Sequence, residues 1–131
     1  MISHVVCRQF ADDLLDGLHR PSDEYRLALY TEDATLDAST TMYTPKHETS
    51  GPGYSAGGVV LRRVRSRTAD GAHLGFADVV LLNTEIAARG ALVYNKTREN
   101  RALFVLDFGK VYRSTAGEFE IQLPPTLCTV R

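Results

Sequence analysis

The strongest constraint on how this chain can fold is a rhythm that begins at Tyr25 and runs to the C-terminus. Short apolar runs alternate with turn signals, roughly every 8–12 residues, the spacing of an all-β sandwich or small barrel. The clearest run is Phe119, Ile121 and Leu123 alternating with Glu118, Glu120 and Gln122. That is the period-two pattern of a strand with one buried face. Tyr25–Tyr30 is rich in Tyr and Leu and reads as the first strand. Further strands are expected at 59–66, 72–76, 79–82, 91–95, 103–108 and 126–130. Asp70-Gly71 and Ala116-Gly117 are turn signals, and a polar loop at 96–100 joins two of the runs. No strand–helix–strand alternation appears, which argues against a parallel α/β sheet. The expected fold is mainly β: an antiparallel β-sandwich, jelly-roll or Ig-like, over residues 21–131, preceded by a short N-terminal α-helix.

That helix is read over residues 1–20. Ile2, Val5, Val6, Phe10, Leu14 and Leu18 recur at helical spacing and form one apolar stripe. Asp12, Asp13 and Asp16 fall off the stripe, and Gly17 and Pro21 stop it. Such a stripe either covers the sandwich or docks in a groove on a partner. Anchoring to a partner is the favoured reading, because the β-body has enough strands to close its own core. Val6, Phe10 and Leu14 are then partner-binding candidates.

The chain has 131 residues and a formal net charge of −1. One domain of this size buries enough surface to fold without a disulfide or a metal. A charge so near zero gives no general attraction to nucleic acid or anionic lipid. Cys7 and Cys128 sit near opposite ends without metal or redox spacing and read as buried, reduced thiols. No signal peptide is visible, and no apolar run approaches the roughly 20 residues that cross a bilayer. Assembly in a cytoplasm is expected, with no membrane partner.

Residues 31–58 are mostly polar and small, with an aromatic pair at Tyr43 and Tyr54, and end in a stretch dense in Gly and Pro. An irregular segment of this length is usually functional, and it is a candidate for partner contact. Within it, Gly53-Tyr54-Ser55-Ala56-Gly57 matches the G-x-S-x-G nucleophile elbow. The elbow needs a buried strand before the serine and a helix after it. Polar, Pro/Gly-rich residues precede this one and a strand-like run follows, so a glycine-rich turn is expected. A phosphate-binding loop is a weaker reading still, because the stretch lacks the Gly-Lys-[Ser/Thr] ending and the flanking strand and helix. His4, His19, His47 and His73 make no pair at metal-ligating spacing. Asp78, Glu85 and Asp107 are isolated carboxylates beside apolar runs. No catalytic residue, cofactor or metal is expected. Arg63, Arg65 and Arg67 alternate along one strand and share a side. They are a candidate intersubunit face, since arginine's planar fork pairs well with carboxylates at interfaces.

Six segments in order carry a resemblance: 27–31 (Leu-Ala-Leu-Tyr-Thr), the glycine turn 48–58, 76–79 (Phe-Ala-Asp-Val), 86–95, 106–109 (Leu-Asp-Phe-Gly) and 117–123. Over about four-fifths of its length the chain resembles a family of small β-sandwich virion structural proteins of tailed bacteriophages. It departs from the family's pattern after Asp78, where Val80-Leu81-Leu82-Asn83 replaces an aromatic-containing strand. The resemblance implies a place in the virion and no reaction. It implies contact with other copies of the chain and with other virion proteins, as a homo-oligomer. A tail-associated fibre or appendage subunit is the expectation, with capsid decoration as the alternative. A phage-encoded nucleic-acid-binding protein, using the arginine row, is the alternative of another class.

Overall fold

The computed structural model describes residues 3–15, 23–68, 71–121 and 128–130; the side chains at 3, 11, 14–15, 63–75 and 128–130 lie outside that description. In chain order the elements are β1 (Ser3–Val6), α1 (Arg8–Leu15), β2 (Tyr25–Tyr30), β3 (Val59–Val60), β4 (Arg63–Thr68), β5 (Gly71–Phe76), β6 (Val79–Thr84), β7 (Ala87–Asn95), β8 (Arg101–Arg113), β9 (Gly117–Ile121) and β10 (Cys128–Val130). The protein is mainly β, and among the described residues every strand pairing is antiparallel. A five-stranded sheet runs β1-β8-β7-β2-β3, a three-stranded sheet runs β10-β5-β4, and β6 pairs with β9.

The core sits in the middle of the five-stranded sheet. Leu27–Tyr30 in β2, Gly90–Asn95 in β7 and Ala102–Leu106 in β8 are buried on both faces. Both faces must therefore be covered. Register puts Ala28, Tyr30, Leu92, Tyr94 and Val105 on one face. The long irregular segment lies over this face: Tyr43 stacks on Tyr94 with ring centroids 4.7 Å apart, and the Tyr30 hydroxyl donates to the Thr44 carbonyl at 2.7 Å. Leu27, Leu29, Val93 and Phe104 lie on the other face. There Phe10 of α1 packs on Phe104 with centroids 5.2 Å apart, and Tyr25 packs on Phe76 at 5.6 Å. The expected mainly-β fold with a short helix is what forms. One face of its central sheet is covered by irregular chain held in place by side chains.

The N-terminus departs from the sequence reading. Residues 3–6 are not the start of a helix but an edge strand, with Val5 opposite Val105 and Val6 opposite Phe104. A run containing two adjacent β-branched residues takes the open hydrogen-bonding edge of β8 in preference to helix. The helix is confined to Arg8–Leu15. Phe10 is 1% exposed and belongs to the core, so it is not a free partner-binding residue. Asp13, read as off the apolar stripe, is also buried, and Arg101 Nη1 donates to it at 3.1 Å. Leu18, Gly17 and Pro21 lie outside the described residues.

The strand expectations at 59–66 and 72–76 resolve into β3, β4 and β5. Gly71, read as part of a turn, belongs to β5 and pairs with Thr68, and Asp70 lies outside the described residues. In β9, Phe119 and Ile121 are buried while Glu118 and Glu120 are exposed, as their alternation requires.

Candidate functional site: a latched segment and its flanking strand edges

Residues 31–58 are where sequence reasoning placed partner contact, and their geometry is that of a latch. Their middle runs beside the outer edge of β2: Thr49 N–H donates to Leu29 O at 2.8 Å, and Thr31 N–H to His47 O at 3.0 Å. Glu48 is the hub. Its Oε1 accepts from the Tyr43 hydroxyl at 2.6 Å. Its Oε2 accepts from the Tyr54 hydroxyl and, at 2.9 Å, from the Gly57 N–H. The Tyr94 hydroxyl in turn donates to Gly57 O at 2.5 Å. The Leu29 N–H reaches the Tyr54 oxygen at 3.0 Å. One carboxylate thus ties three points of the segment to one another, and Tyr94 and Leu29 tie those points to the sheet.

Two glycines let the backbone come close enough. At Gly58, φ is +88°, and a Cβ would stand 2.0 Å from Leu27 O. At Gly51, φ is +151°, and a Cβ would stand 2.3 Å from Glu85 O. No other residue type fits either place without moving the main chain.

The electrostatics keep the hydroxyls of the latch protonated. Burial pushes the hydroxyls of Tyr54 and Tyr43 well above the usual phenol range, and their bonds to the Glu48 carboxylate add to it. Burial raises Tyr30 and Tyr94 too. Phenols held this strongly protonated are donors, not proton acceptors, near neutral pH. Burial, aided by the negative charge of Asp37, pushes the Cys7 thiol up to about 11. A thiol so held is a poor nucleophile. Cys128 lies in β10, with its side chain outside the description.

Ser55 sits in a turn between Gly53 and Gly57, and Gly58 N–H donates to its carbonyl at 3.0 Å. Strand β3 follows, so the strand–turn–helix of a nucleophile elbow is not built there. Asp107 is exposed in β8, accepts from Gly109 N–H at 2.8 Å and faces Arg89 Nε at 3.5 Å. That pair lines an open cleft of about 520 Å³ with Glu32, Asp33, Leu36 and Gly90. Among the described residues no group of three or more His, Cys, Asp or Glu could hold a metal ion. No described helix is long and apolar enough to cross a membrane.

The remaining partner-binding candidates are scattered. Val6 is 37% exposed on edge strand β1. Leu14 is in α1, with its side chain outside the description. Arg63, Arg65 and Arg67 occupy alternate positions of β4, opposite Phe76, Leu74 and Ala72 of β5. The three groups stand on three different elements, β1, α1 and β4. Sequence reasoning missed Glu48. Its only advance signal is the Tyr43/Tyr54 pair within an otherwise polar stretch.

No family model, curated protein or solved structure matches this chain.

Proposed function

We propose that this chain is a bacteriophage virion structural protein, a tail-associated fibre or appendage subunit that acts through protein–protein contacts. One observation supports the reading: four of the six segments on which the expected resemblance rests fall in the central sheet or in the segment latched to it. Residues 27–31 include most of β2, 86–95 contain β7, 106–109 lie in β8, and 48–58 are the C-terminal part of the latch. What resembles the family is therefore a means of fixing a rigid β-body and an ordered surface segment. A structural subunit needs such a body, because contacts made by pre-ordered surfaces lose less entropy on assembly.

The test is immunogold labelling of purified particles with an antibody to the chain, together with its copy number by quantitative mass spectrometry. Labelling at the tail in a fixed copy number is expected. Labelling over the head would move the subunit to capsid decoration. Absence from particles would overturn the virion role altogether.

A further inference from the structure

We propose that the outer face of the β6–β9 ribbon docks an amphipathic helix of another virion protein, its apolar stripe seated on Val80 and Leu82 and its basic residues set against Glu118 and Glu120. This deepens the structural reading above by naming one contact face and the chemistry of its partner, and it rests on that reading.

The two strands of the ribbon are built differently. β9 has one buried side: Phe119 and Ile121 point into the core while Glu118 and Glu120 are exposed. That is a strand with water on its outer side. β6 turns Val79 into the core and packs Leu81 against it. Its outer side nevertheless carries Val80 and Leu82, 48% and 60% exposed. Apolar residues on both sides are the pattern of a strand covered on both faces. In the single chain the outer side is open at both positions. Exposed apolar residues scattered singly are ordinary. These two stand two positions apart on one strand and share a side. The exposed Val5 and Val6 of β1, by contrast, are adjacent and point to opposite sides.

Register completes the face. Val80 stands opposite Glu120, so the glutamate row lies beside the apolar pair on the same side. The charges decide what covers it. Any cover takes the carboxylates partly out of water, which is costly unless cations come with it. Nucleic acid and anionic lipid bring more negative charge. A second copy laid face to face sets glutamate against glutamate. A partner with lysine or arginine beside an apolar stripe meets both needs. A helix also fits the width, because its diameter of about 10 Å spans two strands about 4.8 Å apart. α1 is not free for the role, since Phe10 already packs it on Phe104 of β8. The helix therefore comes from another protein, laid on the ribbon by its apolar face.

The probe is a terminally blocked helical peptide with a leucine stripe flanked by lysines. Its twin has glutamate at every lysine position. Each is titrated into the isotope-labelled whole chain, and affinity is read from the backbone amide shifts. The lysine peptide should saturate, with shifts centred on residues 79–84 and 117–121, and high salt should weaken it. Val80→Thr/Leu82→Thr should weaken binding at least about tenfold. Glu118→Lys/Glu120→Lys should reverse the preference, so that the glutamate twin binds more tightly. All four positions are exposed, so both variants should keep the fold, which circular dichroism verifies. If one variant fails to fold, the other decides, together with the twin peptide on wild type. Absence of saturable binding overturns the proposal, as does binding centred elsewhere or a folded Val80→Thr/Leu82→Thr chain that binds as tightly as wild type. A glutamate twin that binds wild type equally well overturns it too. So does a wild-type dimer, seen by sedimentation, that Val80→Thr/Leu82→Thr abolishes, because the cover is then a second copy. Particle labelling separates the two proposals. A chain present in particles that binds no lysine peptide overturns only the docking face, and one that binds the peptide but is absent from particles overturns only the virion role.

Discussion

Glu48 gathers three donors, two of them phenol hydroxyls and one a backbone amide, on a half-buried carboxylate. Replacing it by Ala strands all three. The expected loss is about 1.5–3 kcal/mol, the range for hydrogen bonds to charged groups. It should appear as a lower urea midpoint at unchanged m-value; an unchanged midpoint would remove the latch from the fold's energetics. Cys7 supplies a pH dependence of definite sign. Its thiol is held up to about 11 against an ordinary value of 9.0. Between those values the native state keeps a proton that the unfolded chain has lost. Stability is thus intact below pH 9.0 and falls as the pH rises toward about 11. Cys7→Ala should make that alkaline limb shallower in denaturation curves taken across the range. A residual slope should remain from Tyr30, Tyr43 and Tyr54, whose hydroxyls are held up in the same direction. Little of this was legible beforehand. The Tyr43/Tyr54 pair stood out against its polar surroundings, but a carboxylate that acts by converging contacts has no local pattern to announce it.

The elements that alternate cleanly were legible, and those that borrow a neighbour's edge were not. β9 has one buried face, so its period-two pattern survives intact in the sequence. β2 has the bounds expected of it, whereas β7, buried on both faces, reads only as the apolar run 91–95 and begins four residues earlier, at Ala87. At the N-terminus, Val5, Val6 and Phe10 fit a helical stripe, yet Val5 and Val6 pair with β8 while Phe10 belongs to α1. Periodicity cannot detect an open edge about a hundred residues away. Segment 31–58 misled for the converse reason: its polar composition concealed that Leu36, Tyr43 and Tyr54 pack against the core. The N-terminal reading has a direct test. Phe10→Ala should cost about 3–5 kcal/mol, the usual range for emptying a buried phenylalanine site. Deleting residues 1–15 should lower the melting temperature sharply or cause aggregation, because it uncovers Phe104 and leaves β8 without its outer partner. A truncated chain that melts like wild type would return this segment to the role of a detachable anchor.

At the scale of the whole molecule, stability should be graded outward from β7. This strand has β2 on one side and β8 on the other, and residues 90–95 are buried throughout. β8 is buried from Ala102 to Leu106 and carries β1 on its far side. The β6–β9 pair stands apart in the strand order and keeps Val80, Leu82, Glu118 and Glu120 exposed. Local opening is easiest where backbone hydrogen bonds are exposed and apolar contacts are few. Native-state hydrogen exchange should therefore find residues 91–94 and 103–106 opening only with global unfolding, while 79–84 and 117–121 exchange through smaller openings. Adding denaturant should leave the second group nearly unaffected until it merges with the first. If the β6–β9 amides instead exchanged as slowly as those of β7, that pair would belong to the global folding unit, and the outward gradient would be refuted.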